Sequence, residues 1–472
     1  MEIPSSGRGQ WGSRIGFIMA AAGSAIGLGN IWRFPYTTGQ NGGGAFVLLY
    51  LLCTAFIGLA VMWAELAIGR ATQRSPVSAF GALAPGSIWK AVGYLGIITG
   101  IGILSYYGVV AGWTVGYLIY SANGSLDTVV PTIHLADPAI HLESAHAGSF
   151  FGAFVANCKL QILYLAAFMG MTMFVVLGGV RKGIERLTKV LMPLLLLMLV
   201  GLIVNGMVQP RAMDGLRFYL WPDLDKVTGM TFVYALGQAF FSLSLGMGAM
   251  LTYGSYMRKS DNLATSGMYV VIFDTAIALM AGFMIFPILG GAPKAAGPGL
   301  VFVVLTKQFQ AMPAGHVVAI IFFSLLAIAA LTSTVSLLEV VTSFLVDEVK
   351  MKRRGAVLLS GTGIALLGIP SALSLGGVKW LSALYTVDGK DQGFLDLMNF
   401  IFGNVLLAVG ALGICLFVVL RWKPKNAIAE IARSAPWFKK LGRVWVIALA
   451  VLCPLAVLGL LAYMAVTGKA LG

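Results

Sequence analysis

The chain has 472 residues, of which 58% are hydrophobic and only 11% charged, against roughly 25% charged in an ordinary soluble domain. A mean hydropathy of +0.89 means more apolar surface than one aqueous core can bury, so the surplus faces lipid. Lys and Arg outnumber Asp and Glu by 32 to 18, but they flank apolar runs instead of gathering on one water-facing surface, which argues against nucleic acid as a partner.

Apolar runs long enough for a crossing helix of about 20 residues fall near 12–36, 42–69, 88–121, 160–179, 187–208, 229–257, 262–290, 315–347, 355–373, 393–421 and 444–466. Eleven spans are predicted, and their excess length points to tilt. No small-residue cleavage signal follows the first basic residues, so the first span is expected to stay in the mature protein. Most Lys and Arg lie in segments that are cytoplasmic if the N-terminus is inside, such as Arg181-Lys182, Lys352-Arg353-Arg354 and Lys439-Lys440. An odd span count then puts the C-terminus outside. The segment 122–158 is predicted to be an outer loop; His134, His141 and His146 there lack the i,i+4 spacing of a helical metal site. Cys53, Cys158, Cys415 and Cys453 form neither a disulfide framework nor a metal-ligand pattern.

Two spans are interrupted by small residues: Gly23-Ser24-Ala25-Ile26-Gly27-Leu28-Gly29-Asn30 in the first and Phe241-Ser242-Leu243-Ser244-Leu245-Gly246-Met247-Gly248 in the sixth. Unsatisfied backbone in hydrocarbon costs several kcal/mol per group unless it lines a cavity or meets an ion. Paired interruptions in matching places of two halves point to a binding site at the bilayer midplane; the same runs also suit close helix packing. Arg33, Glu65, Asp274 and Glu339 are ionisable residues in or near apolar runs, where a lone charge costs at least about 2.5–3.5 kcal/mol. Asp274 has no basic residue within a helical turn, which favours a bound cation as its partner.

The run Gly23 to Tyr36, then Asn41-Gly42-Gly43-Gly44-Ala45-Phe46 and Glu65-Leu66-Ala67-Ile68-Gly69-Arg70, resembles the neurotransmitter:sodium symporter family, in its bacterial amino-acid transporter branch. The resemblance implies the LeuT-type fold. That is an all-α polytopic membrane protein with a 5+5 inverted repeat and eleven transmembrane helices, of which helices 1 and 6 are unwound at mid-membrane. Repeat one would cover about 11–208, repeat two about 229–421, and an extra helix about 444–466.

The resemblance also implies two sodium ions. The first would take the Ala25 carbonyl, Asn30, Ser242, Asp274 and the substrate carboxylate; the second would take the carbonyls of Gly23, Ile26 and Ala329 with the hydroxyls of Thr332 and Ser333. Short hydroxyls and freed carbonyls suit a hard cation, although Thr332 and Ser333 could equally back-bond within their helix. Asp274 stands where many relatives have Asn, and Ala278 where chloride-dependent members have Ser, so chloride independence is expected. Gly27 stands where monoamine carriers have Asp, which leaves room for a substrate carboxylate on the first helix's amides and the Tyr107 hydroxyl. An α-amino acid is therefore the expected cargo, its amine near Ser24, Ser244 and the helix-6 carbonyls. The substrate wall would comprise Ala25, Gly29, Ile103, Phe241, Ser242, Met247, Ser333 and Leu337, and would favour large hydrophobic or aromatic side chains.

Arg33 would cap the site outside, facing Asn399, which replaces the usual Asp; Asp396 or a water could serve instead. Inside, Arg8 would pair with Asp347, flanked by Trp11 and Tyr256. Gly183 and Pro193 could let the cytoplasmic end of the fifth helix unwind, or merely kink it. The predicted function is sodium-coupled import of neutral L-amino acids into the cell across the inner membrane, by alternating access. An amino-acid sensor of the same fold is the alternative. An enzyme is not expected, because His316 has no apparent nucleophilic or metal partner, and a channel would need a repeated filter.

Overall fold

A computed structural model describes residues 9–125, 150–293 and 297–468. Arg8, and His134, His141 and His146 of the predicted outer loop, lie outside the described residues. In chain order the main helices are α1 (Arg14–Ala25), α2 (Gly29–Gln40), α3 (Gly44–Thr72), α4 (Pro76–Leu83), α5 (Lys90–Ala122), α6 (Cys158–Leu177), α7 (Val180–Met207) and α8 (Ala212–Leu220). They continue as α9 (Gly229–Ser242), α10 (Ala249–Ser255), α11 (Leu263–Leu289), α12 (Leu300–Gln310), α13 (Gly315–Asp347), α14 (Arg353–Leu373), α15 (Phe394–Trp422), α16 (Pro424–Ala432) and α17 (Phe438–Thr467).

Among the described residues nine of these helices are long and apolar enough to cross a membrane, or ten if the α1–α2 pair, bent by 53°, is one span. The run 229–257, predicted as one span, is divided between α9 and α10, each too short to cross alone. The structure also departs from all-α. Strands β1 (Tyr385–Val387) and β2 (Lys390–Gln392) form an antiparallel hairpin before α15. Its turn holds Asp388 and Gly389 at φ of 50° and 73°, the left-handed pair that a tight hairpin favours.

Local chemistry sets the helix starts. Ser13 caps α1 by accepting the Gly16 N–H, Asn157 caps α6 through Leu160, and Thr228 and Thr231 cap α9 reciprocally. Several spans carry π-helical turns, among them Val180–Glu185 in α7 and Asn399–Leu406 in α15. The interior is organised around α5 and α13, which pack along each other, while α1 is held between α7, α11 and α13.

Where α3 ends, the buried guanidinium of Arg70 binds Glu430 on α16 (2.9 Å), the Asp261 carbonyl (2.7 Å) and Ser434 (2.8 Å). Lys259 adds hydrogen bonds to the carbonyls of Arg70 and Ala71.

Candidate functional site

Both interruptions break their helices. Between α1 and α2 the chain leaves helical geometry at Ile26, where φ is −73° and ψ is 103°. Two side chains hold the freed amides: Asn30 Oδ1 accepts the Gly27 N–H (3.1 Å), and the Tyr107 hydroxyl accepts the Leu28 N–H (2.9 Å). The second break, between α9 and α10, is longer. Ser244, Gly246 and Gly248 all have positive φ there, at 54°, 84° and 75°. A Cβ on Gly246 would lie 2.2 Å from the Leu407 carbonyl oxygen, so both conformation and space require glycine. Glu65 supports this break from α3, accepting the N–H groups of Gly246 (2.7 Å) and Leu251 (3.2 Å). That accounts for one of the ionisable residues in an apolar run: its carboxylate satisfies amides at the positive end of a half-helix.

Between the breaks lies a cavity lined by Ser24, Ala25, Gly27, Gly29, Ile103, Tyr107, Phe241, Ser244, Met247, Ser333 and Leu337. These are the residues predicted to touch substrate, except Ser242. The cavity has a volume of about 30 Å³, room for about two waters. A Cβ on Gly27 would stand 2.6 Å from Ser333 Oγ and 2.7 Å from the Tyr107 oxygen. Any side chain at Gly27 would therefore take the place beside those two hydroxyls.

Two groups of oxygens flank the cavity. In the first, the buried Asp274 carboxylate accepts hydrogen bonds from Asn30 Nδ2 (2.7 Å) and Ser242 Oγ (2.7 Å), and Asn30 Nδ2 also donates to Ser242 (3.0 Å). Asp274 makes no ion pair with another described residue. Ala25 is buried in the last turn of α1. In the second, Ser333 Oγ lies 3.2 Å from the Ser24 carbonyl and 3.3 Å from those of Ile26 and Ala329. Thr332 back-bonds to Ala329 (3.0 Å), and its Cβ packs at the Gly23 backbone. Carbonyls of α1 and hydroxyls of α13 thus meet at one place.

A model of the sodium:neurotransmitter symporter family matches residues 8–133 and 154–470. This chain belongs to that family. It is a membrane transporter chain, not an enzyme. An uncharacterized sodium-dependent transporter, YhdH, of Bacillus subtilis (strain 168) is 36% identical over 452 residues, 95% of this chain and 96% of the relative. The sodium-dependent serotonin transporter of Drosophila melanogaster is 31% identical, covering 81% of this chain and 67% of the relative. The crystal structure of MhsT in complex with L-phenylalanine superposes with a TM-score of 0.85 at 43% identity, covering 97% of this chain and 99% of MhsT.

The symporter site has a vestibule on one side and a packed plug on the other. Phe241 separates the cavity from a vestibule of about 510 Å³ that Arg33, Tyr106, Asp396, Asn399 and the β1–β2 hairpin also line. The Arg33 guanidinium lies over the Phe241 ring, 4.3 Å from its centre, and donates to Asn404 Oδ1 (3.2 Å). Asn399 instead accepts from the Tyr106 hydroxyl (3.1 Å), and Asp396 accepts the Gly393 N–H (2.8 Å) as part of a helix cap. Arg33 thus meets Asn404, while Asn399 and Asp396, the residues expected to face it, bind Tyr106 and Gly393. Sequence reasoning missed Asn404; its signal was a lone amide within the apolar run Phe400 to Val405.

At the opposite end, Trp11 donates its indole N–H to the Tyr253 carbonyl (3.0 Å), and its backbone N–H bonds the Tyr256 carbonyl (3.2 Å). The Tyr256 hydroxyl donates to Glu339 (2.6 Å), whose carboxylate also pairs with Arg353 (3.0 Å). Asp347 accepts the Ser75 N–H (2.7 Å) at the start of α4. Its predicted partner Arg8 lies outside the described residues. Glu185, in the π-helical turn of α7, accepts from the Gly12 N–H (2.6 Å), Ser13 (3.1 Å) and Lys189 (2.6 Å), tying the N-terminal segment to the fifth span.

Proposed function

We propose that this protein imports neutral L-amino acids, with preference for large hydrophobic or aromatic ones, by sodium-coupled, chloride-independent alternating access. The observation that carries the coupling is the fully buried Asp274 carboxylate, held by Asn30 and Ser242 at the edge of the cavity without a cationic side chain. A buried carboxylate in that setting favours a cation, and oxygen-rich surroundings suit sodium. With sodium there, Asn30 would turn its amide oxygen from the Gly27 N–H to the ion, giving up the Nδ2 hydrogen bond it now donates to Asp274. The carbonyls of Gly23, Ile26 and Ala329 would hold the second ion, with the hydroxyl oxygens of Thr332 and Ser333 as further ligands.

The substrate carboxylate would sit beside Gly27 and Tyr107 and complete the first sodium shell, so ion and cargo favour the same state. Its amine would meet the carbonyl-bearing end of the broken helices near Ser24 and Ser244. A large side chain needs more room than the cavity offers, which unbranched Met247 and the Phe241 ring could supply by moving. The L-phenylalanine bound in the MhsT crystal structure supports this size class.

The Arg33 end would face outward and the Trp11 end inward. The architecture would be eleven spans, α9 and α10 together forming the sixth, in repeats covering about 11–208 and 229–421 with an extra helix at 444–466. The N-terminus would be cytoplasmic and the C-terminus outside the inner membrane. Two sodium ions entering at 100 mV would supply about 4.6 kcal/mol, enough for roughly a thousandfold accumulation of a zwitterion.

Uptake of labelled Trp, Leu and Ala into liposomes under an inward sodium gradient, in chloride or gluconate, tests the proposal. Sodium-dependent uptake in both anions, fastest for Trp or Leu, is expected, and Asp274→Asn should weaken sodium dependence or introduce a need for chloride. Saturable binding without accumulation would replace the transporter with a sensor.

A further inference from the structure

A groove unrelated to the central cavity opens on the lipid-facing surface at the basic end of the bundle, where α6 ends and α7 and α14 begin. Its volume is about 730 Å³. Lys182, Arg186 and Arg354 line it together with Phe174, Val190 and Leu358. The two kinds of residue are graded by depth. On α7, Lys182, Arg186 and Val190 follow at intervals of four, so they share one face and span about 12 Å along the axis. On α14, Leu358 lies one turn beyond Arg354 on the same face.

In each helix the cations stand at the end and the apolar side chain a turn further in. Phe174 provides the corresponding apolar wall on α6 and is 78% exposed. Lys182, Arg186 and Arg354 make no ion pair with another described residue. The carboxylates nearest in the chain are engaged elsewhere, Glu185 by Gly12, Ser13 and Lys189, Asp347 by the Ser75 N–H and Glu348 by the Ser78 hydroxyl, while Glu339 pairs with Arg353 and Tyr256. Arg353 also turns away from the groove to cap the α6 C-terminus, donating to the Val176 carbonyl (2.8 Å). The positive ends of α7 and α14 add to the three cations.

We infer that this groove binds an anionic phospholipid, its phosphate among Lys182, Arg186 and Arg354 and its acyl chains along Val190, Leu358 and Phe174. Three cations above an apolar wall match the two halves of such a lipid, and basic pockets between helices at a membrane surface are suited to anionic headgroups. A free phosphate would use only the upper half of the groove. The occupant would bridge three helices, and one of its contacts is the π-helical first turn of α7 that contains Gly183. The inference does not depend on transport and is tested without it.

The full chain, purified in neutral detergent, is titrated with dioleoylphosphatidylglycerol, dioleoylphosphatidylcholine or inorganic phosphate, and bound lipid is counted by native mass spectrometry. Saturable retention of the phosphatidylglycerol alone is expected. The combined variant Lys182→Gln/Arg186→Gln/Arg354→Gln should bind it roughly a hundredfold more weakly, at about fivefold per cation. A control that removes three exposed cations at the same end, Lys425→Gln/Lys439→Gln/Lys440→Gln, should bind like the parent. Equal binding of the two lipids by the parent, binding of inorganic phosphate as tight as of the lipid, an unaffected groove variant, or equal losses in both triple variants would each overturn the assignment. Matching unfolding temperatures for the three proteins establish that the comparison is made on folded chains.

Discussion

The two ends of the central site are closed by different chemistry. At the Glu339 end a buried carboxylate binds a guanidinium and a phenol, and the same guanidinium reaches the backbone of α6. At the Arg33 end a guanidinium rests on the face of Phe241 and on the neutral amide of Asn404. An ion pair out of water is costly to break from one side, whereas a cation over a ring is worth about 0.5–2 kcal/mol and tolerates sliding. Opening at the Glu339 end therefore means giving up several directed bonds at once, whereas the contact between the Arg33 cation and the Phe241 ring can slide.

Three changes test that contrast, in order of expected size. Arg353→Gln leaves the Glu339 carboxylate buried without its cation and should cost about 3–5 kcal/mol, seen as the largest fall in unfolding temperature. The double variant Arg353→Gln/Glu339→Gln should recover part of it; a single variant as stable as the parent would show that the pair holds nothing. Tyr256→Phe removes one hydrogen bond to a charged acceptor, worth about 1.5–3 kcal/mol, and should increase labelling of cysteines introduced beneath the cavity at the Trp11 end. Unchanged labelling would remove Tyr256 from the closure. Asn404→Asp puts a carboxylate at the observed contact between residue 404 and Arg33. A gain of about 1 kcal/mol should slow release of a bound amino acid roughly fivefold, and faster release would contradict the role given to Arg33.

Much of the cavity was legible because its makers are glycines and short polar residues in runs that would otherwise be plain lipid-facing helix. Gly27, Gly246 and Ser244 mark the breaks, and Asp274 with Asn30 and Ser242 stands out as polarity without a charge partner in the sequence. The Arg33 contact was less legible. Asn399 was expected from the family resemblance, with Asp396 or a water as its substitute, but α15 carries a π-helical stretch over Asn399–Leu406, and Asn404 Nδ2 bonds the carbonyl five residues back. That extra residue per turn re-aims the side chains, and composition alone does not announce it. Glu339 was recognised as costly, but Arg353 lies beyond a change of chain direction that no periodicity specifies. The β1–β2 hairpin did leave a mark, Asp388-Gly389, which was lost in a reading tuned to long apolar helices.

The Arg70 clamp has a consequence for how the protein is made. Its guanidinium sits at the end of the second apolar helix, while Glu430 is 360 residues further along the chain. At ribosomal rates of about 5–20 residues per second, roughly 20–70 seconds separate synthesis of the two. During that interval the early helices are held with an unmatched guanidinium at the membrane boundary, and its last ligands arrive with the C-terminal segment. Final closure of this corner therefore belongs to the end of translation, and a nascent chain stopped short of α16 would carry an open, cationic seam where the finished protein has a sealed one.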